Sequence, residues 1–567
     1  MAGDKNFYSA ADALNDALTK AGVTHVFVNL GTDYPPIIES WAKHRAEGME
    51  MPSVIIAPHE YVAVSAAQGF AQITGKAQAV FVHVDVGTQN MGGALHNAYR
   101  CRVPVFILAG ISPYTMEGEL KGSRDMYIQF IQNVPDQAGI VRNYAKLCSE
   151  LRTGRNTQQM VYRSLQIACS DPKGPVYMTA AREVLEEEAW QAAEGPENWL
   201  PVVPQGLSDA SVEAVVSALM HSERPVVVTS YLGRNKEAVA ELVKLCRLLA
   251  VPVVESTPSY MNYPADDELY LGDEVGIVTK ADMILAIDCD LPWPNTMAPE
   301  PSCRVFYIDI DPVKDSIPLW HVRSERSMRA DSFEALRQIN SKLETMGIAE
   351  GAAASRREWA ARLHALRAER AAIMSSPGEE LTPDFVAACV REIIDDDTVL
   401  LNEVISDGAA VTRQIPRTKP GTYFFSGGSS LGWFGGAAVG MKLACPEKNV
   451  VALTSDGTYV FSCPTAVYWM ARKYNAPFMT VIFNNSGWCA PKTVTKKQHP
   501  EGYAARTDCF WTSFDPSSRL DIVAEAAGGA FACTVERPSE LLDALREGKE
   551  AVESGRCAVI NAVLPKV

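Results

Sequence analysis

Short apolar runs rich in Val, Ile and Phe return along the whole chain, separated by stretches long enough to hold a helix. A strand that reads as a continuous apolar run, without polar alternation, is buried on both faces. Parallel strands need such crossovers, so the pattern restricts the chain to α/β units with parallel sheets. HVFVN, SVIIA, AVFVHVD, VPVFILAG and GPVYM set the rhythm first. RPVVVTS, VPVVE, ADMILAIDCD and RVFYIDIDP repeat it, and DTVLLNE, NVVALTS and PFMTVIF start it a third time. With 567 residues the chain exceeds one core, and the three groups predict three doubly wound α/β domains over residues 1–188, 200–345 and 375–567. The acidic, Pro-bearing segment EEEAWQAAEGPENWLPVVPQG separates the first two. An Ala-, Arg- and Glu-rich helix containing EWAARLHALRAERAAI separates the last two. The opening SAADALNDALTKAG predicts a helix with a capping box from Ser9 and Asp12, closed at Gly22.

Charge and thiols narrow the function. A formal net charge of -16 excludes broad binding to nucleic acid or an anionic membrane. Thirteen cysteines without a CxxC pair predict reduced thiols in a cytoplasmic protein, not a disulfide framework or a zinc site. The start, MAGDKNFYSAADAL, has no apolar signal core. The longest uncharged stretch, Pro420 to Met441, is broken by seven Gly and three Ser, so no membrane segment is expected.

Chemistry concentrates in LTSDGTYVFSCPTAVYWMARKYNAPFMTVIFNNSGW. An Asp-Gly turn at Asp456 and Gly457 follows one strand, and Asn484 and Asn485 follow the next. The 26 residues between them, 458–483, fit one strand-helix-strand crossover. Both loops then leave the same carboxyl edge, where open α/β sheets bind ligands. A carboxylate from Asp456, an amide oxygen from Asn485 and a carbonyl at Gly487 are oxygen ligands for a hard divalent ion that also holds phosphate oxygens. Turn chemistry alone also accounts for Asp-Gly and Asn-Asn.

This constellation resembles the cofactor signature of thiamine diphosphate enzymes, Gly-Asp-Gly followed by Asn-Asn, with Ser455 in place of the first Gly. APHEYVAVSAAQGFAQITGK resembles the family segment whose glutamate activates the aminopyrimidine, which places Glu60 there. HVDVGTQNMGGALHNAYRCRVPVFILAG is most similar to benzoylformate decarboxylases. It puts His83 at the end of a strand and just before a Val-Gly-Thr turn, as an acid-base residue. Thr32, in NLGTDYPP, stands where relatives carry a small polar or acidic active-site residue.

In the last domain FFSGGSSLGWFGGAAVGM resembles the segment that props the cofactor into its bent shape, with Leu431 as the prop and Ser429 beside it. NEVISDGAA resembles the diphosphate-side turn and brings in Ser406, Asp407 and Gly408. Gly457, Thr458 and Trp488 complete the expected cofactor contacts, and Trp293, Trp488 and Cys489 are candidates to line the substrate pocket. The resemblance implies pyrimidine-binding, middle and diphosphate-binding domains, Mg²⁺, a small 2-oxo acid substrate, and a homodimer at minimum with homotetramers among relatives.

It implies non-oxidative decarboxylation of a 2-oxo acid, with carboligation open through a shared intermediate. An acetolactate synthase-like ligase is the alternative. FAD is not expected, because IDCDLPWPNTMAPEP stands where a synthase carries its Arg-Phe-Asp-Asp-Arg flavin segment. A middle domain without GxGxxG gives little support to an NAD-dependent dehydrogenase. A catalytically silent regulator requires a broken site, whereas Glu60, Asp456 and Asn485 are all present.

Overall fold

Among the described residues the strands of all three sheets pair in parallel, and the central strands are closed to water on both faces. The computed structural model describes residues 7–347, 353–516 and 518–566. The first sheet contains β1 (His25–Asn29), β2 (Ser53–Ile56), β3 (Gln78–Val82), β4 (Val105–Ile111), β5 (Leu147–Leu151) and β6 (Val176–Ala181). Its order is β2-β1-β3-β4-β6-β5. The middle sheet contains β7 (Pro225–Thr229), β8 (Val253–Glu255), β9 (Tyr270–Gly272), β10 (Met283–Ile287), β11 (Arg304–Asp309) and β12 (Arg326–Arg329), ordered β12-β11-β10-β7-β8-β9. The third contains β13 (Val399–Glu403), β14 (Tyr423–Phe424), β15 (Val450–Ser455), β16 (Met479–Asn484), β17 (Phe531–Val535) and β18 (Ala558–Val563), ordered β14-β13-β15-β16-β18-β17. The first and third sheets therefore share one strand layout. The middle sheet has the other doubly wound order, which reverses between β7 and β10.

The long apolar runs are strands as expected, and the capping box is present: Ser9 Oγ accepts from the Asp12 amide while Asp12 accepts from the Ser9 amide. Six strands lie outside the sequence reading: β5, β9, β12, β14, β17 and β18. Among them β9 has three residues and β14 two, too few to carry a period. AVFVHVD is strand only to Val82. His83 caps a helix, Val84–Asn90, so Val86-Gly87-Thr88 is helical and not a turn. Asp456-Gly457 is likewise the first turn of a short helix, Asp456–Phe461, and not a β-turn. Trp293, expected in a pocket, is buried in the core of the middle domain with Val305, Tyr307 and Val322. The linking helix spans Ala354–Met374; residues 348–352 of that stretch lie outside the described residues, as do Met1–Asn6, part of the stretch read as lacking a signal core. Among the described residues no helix is long and apolar enough to cross a membrane.

Among the contacts that join the domains, two bear on the sheet edges. Helix Glu60–Thr74 of the first domain lies against helix Trp433–Ala444 of the third, and the two share one apolar core through Ala63, Ala66, Phe70, Phe434, Ala437 and Met441. Their backbones approach so closely that a Cβ on Gly440 would stand 2.0 Å from the Ala66 carbonyl oxygen, and one on Gly69 2.4 Å from that of Ala437. The second contact is ionic. Arg102 of the first domain donates to both oxygens of Asp290 at 3.1 and 2.6 Å, and Lys314 lies 2.8 Å from both Asp290 and Asp309. Tyr231 donates to Asp309 and lies beneath the Arg102 guanidinium. Burial would raise the Asp290 carboxyl, but Arg102 and Lys314 outweigh it and hold the group well below the usual carboxylate range. These side chains fill the crevice at the point where the middle sheet's order reverses, leaving a cavity of ≈ 130 Å³.

The helix contact yields a measurable expectation. Gly440→Ala must push the two helices apart and should lower stability by about 1–3 kcal/mol, read as an earlier urea midpoint. Gly92→Ala, where a Cβ meets nothing within 4 Å, should stay within about 0.5 kcal/mol of the parent.

Candidate active site

Three of the expected residues stand at the carboxyl edge of the first sheet. Thr32 lies in the loop after β1, Glu60 opens the helix after β2, and His83 follows β3 directly. Thr32 is half-buried, and its carbonyl accepts from Arg182 at 3.3 Å. The Glu60 carboxyl is buried and held at both oxygens: Asn29 Nδ2 donates to Oε1 at 2.9 Å and Asn90 Nδ2 to Oε2 at 2.6 Å. Gly87 keeps the helix after His83 close to that carboxyl, since a Cβ there would lie 3.1 Å from Oε1. His83 does not bond to Glu60. Its Nδ1 lies 2.6 Å from Asp33 Oδ1 and its Nε2 2.9 Å from Gln132 Oε1. Burial would lower the imidazole pKa, but the bond to Asp33 and its charge reverse the effect, so His83 holds its proton above the ordinary histidine range. Asn29, Asn90, Asp33 and Gln132 are absent from the sequence reading. For Asp33 a signal stood beside Thr32 in NLGTDYPP; for Gln132, 49 residues from His83, the sequence has none.

The remaining expected residues gather at the carboxyl edge of the third sheet. Ser406 is exposed after β13, and Asp407 precedes the seven-residue helix Gly408–Gln414. Burial, with Asp384 nearby, raises the Asp407 carboxyl. Ser429 is exposed in a left-handed conformation with φ 59°, in the loop between β14 and helix Trp433–Ala444; Leu431 follows it, half-buried. Glu403, at the end of β13, accepts from the Trp433 and Phe434 amides at the start of that helix, and burial pushes it up to about 8.

After β15, Asp456 is buried and accepts from the Gly457 amide at 2.8 Å and the Gly487 amide at 2.9 Å, while Ser455 and Thr458 share a hydroxyl bond of 2.8 Å. Burial raises the Asp456 carboxyl, and the surrounding amides partly offset it. Asn485 follows β16 with its Oδ1 buried and without a hydrogen-bond partner among the described residues. A buried carboxylate with only amide partners and an orphaned amide oxygen on the next strand end form a donor set that fits a divalent cation, and Gly487, the third expected ligand, donates its amide to Asp456. Trp488 lies over Gly457, where a Cβ would come within 2.3 Å of the indole. Together with Asp456, Phe461, Phe514 and Leu520 they enclose a cavity of ≈ 250 Å³. Cys489 starts the next helix, half-buried, 3.6 Å from Thr493 Oγ1.

The two edges are joined within one chain. Tyr61, next to Glu60, donates to the Leu431 carbonyl at 2.7 Å and the Ser430 carbonyl at 3.1 Å; Asn97 donates to Ser430 and accepts from its amide. The arrangement thus offers a positioned carboxyl and an imidazole of raised pKa on one edge, and a buried carboxyl and an orphaned amide oxygen on the other.

Known proteins share this plan. Three models of the thiamine pyrophosphate enzymes match in sequence: the N-terminal TPP binding domain over residues 8–140, the central domain over 212–321 and the C-terminal TPP binding domain over 408–562. An acetolactate synthase of Bacillus subtilis is 23% identical over 95% of this chain and 91% of its own length. A benzoylformate decarboxylase of Pseudomonas aeruginosa is 24% identical over 84% of this chain and 85% of its own. The solved structure of a thiamine diphosphate-dependent 4-hydroxybenzoylformate decarboxylase of Rhodococcus jostii superposes with a TM-score of 0.79 over 99% of this chain and all of that one, at 21% identity, a likeness of fold. With its first, middle and last thirds each matched in order, the chain belongs to the thiamine pyrophosphate enzymes, in the group that includes acetolactate synthases and benzoylformate decarboxylase.

Proposed function

We propose that this enzyme uses thiamine diphosphate and Mg²⁺ to cleave a 2-oxo acid without oxidation, releasing carbon dioxide and an aldehyde. The observation that carries the reading is His83: an imidazole held at 2.6 Å by Asp33, which raises its pKa, on the same sheet edge as the buried carboxyl of Glu60. Bound thiamine diphosphate supplies the electron sink that lets a 2-oxo acid lose its carboxylate. The chain supplies the rest. Asp456, Asn485 and the Gly487 carbonyl would hold the Mg²⁺, and Ser406, Asp407, Gly408, Ser429, Gly457 and Thr458 lie at the edge that would receive the diphosphate. Leu431 would support the ring system from the loop tied down by Tyr61. Glu60, its carboxyl oriented by the two asparagine amides, would exchange a proton with the aminopyrimidine. His83 offers Nε2–H to the substrate carboxylate or to the product carbon. Thr32 borders this edge, and Trp488 with Phe461 and Phe514 gives the neighbouring cavity an aromatic wall.

Several features extend the reading. Arg102, Tyr231, Asp290 and Lys314 occupy the middle crevice, which supports an enzyme without flavin. Exposed Trp469 and Ile522 border a groove of ≈ 750 Å³ beside Pro58, which supports a homodimer as the smallest active unit and a tetramer built from it. All thirteen cysteines are unpaired, in keeping with the reducing cytoplasm. A carboligase reading draws on the acetolactate synthases among the relatives and uses the same Glu60 and metal residues.

Three experiments test the assignment. Asp456→Ala should abolish Mg²⁺-dependent retention of thiamine diphosphate in calorimetry, because the diphosphate charge would stay poorly neutralised; unchanged affinity sinks the metal assignment. Glu60→Gln should keep the fold and the cofactor affinity yet slow product formation by about a hundredfold or more, since an amide cannot give up the proton. The reaction itself is decided by offering pyruvate, branched and aryl 2-oxo acids and identifying products. His83→Ala should then cut aldehyde release by about a hundredfold, and more than any ligation. Equal small losses in both would favour the ligase.

A further inference from the structure

Both nitrogens of the His83 ring face acceptors. Nδ1 lies 2.6 Å from the Asp33 carboxylate and Nε2 2.9 Å from Gln132 Oε1, two acceptors that an imidazolium, with hydrogen on both nitrogens, would satisfy. Asp33 is itself fixed. Its side chain is 3% exposed, its Oδ2 accepts from the Val84 amide at 3.3 Å, and it lies against β4 where a Cβ on Gly110 would stand 1.5 Å from Oδ2. The ring rests in turn over Gly31, where a Cβ would lie 1.9 Å from Nδ1. The carboxylate and the imidazole thus share a slot that exists because two backbones lack side chains.

The charges around the ring are of one sign. Asp33 faces it from the loop after β1, and Asp85 adds a second negative charge from the helix that His83 caps. From the segment that carries Gln132 the facing group is a neutral amide. Burial alone would favour the neutral ring, and the paired carboxylate overrides it.

We propose that Asp33 is a positioning residue for His83, holding the ring in one orientation and positively charged, so that Nε2–H is the single proton offered to a carboxylate ligand once Gln132 yields. That this proton serves decarboxylation rests on the function proposed above; that Asp33 sets the charge of His83 does not.

The test uses the full-length protein loaded with thiamine diphosphate and Mg²⁺, with ¹³C-labelled histidine rings. The sequence has nine histidines, and His83 is assigned by the signal lost in His83→Gln. In the parent the His83 signal should titrate above about 6.5, the ordinary histidine value. In Asp33→Asn, where the amide still accepts from Nδ1–H but brings no charge, the midpoint should fall by about one unit or more. Gly110→Ala, which takes the space of the carboxylate and leaves Asp33 in the sequence, should move it in the same direction. A parent midpoint at or below about 6.5, or an unchanged midpoint in Asp33→Asn, overturns the inference, and the first needs no variant to fold.

Aldehyde release gives the independent arm. A rate that needs protonated His83 is lost as pH rises through its pKa, so Asp33→Asn should move that loss to lower pH by the same amount as the ring signal. If the ring signal shifts while the rate profile stays in place, Asp33 still governs the charge of His83 and only the catalytic reading of that histidine falls.

Discussion

The close approach of helix Glu60–Thr74 to helix Trp433–Ala444 is the constraint on which the rest of the molecule depends. Each helix begins at the carboxyl edge of its own sheet, so their contact fixes two edges relative to each other. Small residues make the distance possible: Ala63, Ala66 and Ala67 on one side, Gly436, Ala437 and Gly440 on the other. A larger side chain at the contact would move more than a local packing detail, because Tyr61 reaches from the first turn of one helix to the loop that precedes the other. The bonds from Tyr61 and Asn97 to Ser430 and Leu431 are short only while the helices stay together.

A second set of interactions is charged. The group of Arg102, Asp290, Lys314 and Asp309 lies between the first and middle domains, with Lys314 and Asp309 buried and Asp290 partly open, and its four charges cancel. Each ion there is compensated twice, by an opposite charge and by hydrogen bonds, the condition under which burial of charge is tolerated. The crevice that an open sheet leaves at its reversal of order is therefore stiff and polar.

Much of this was legible in the sequence, because the signals are local. Val- and Ile-rich runs name buried parallel strands, and Ser9 with Asp12 names a helix start. Asp456 and Asn485 can be placed on neighbouring strand ends from spacing alone, and the register of β15 with β16 agrees. What was hidden depends on distance through space. Asn29 and Asn90 acquire their role by meeting Glu60, and Gln132 by a long return of the chain to His83. Trp293 shows the same limit from the other side: an aromatic in a Pro-rich loop reads equally well as pocket or core, and its neighbours decide for core. The Asp-Gly and Val-Gly-Thr segments read as turns from composition, yet each lies in a helix that starts directly at a strand end.

The shared strand order of the first and third sheets has a consequence for whatever lies between such edges. One backbone layout has been dressed in two opposite chemistries. The first presents hydrogen-bearing groups, from His83 and the amides around Glu60; the third presents oxygens at Asp456 and Asn485 that ask for a cation. On the function proposed above, a guest that bridges one edge of each kind would be satisfied in a single direction, with its anionic tail on the third sheet and its proton-exchanging head on the first. Two similar frameworks thus give the molecule a sense of head and tail.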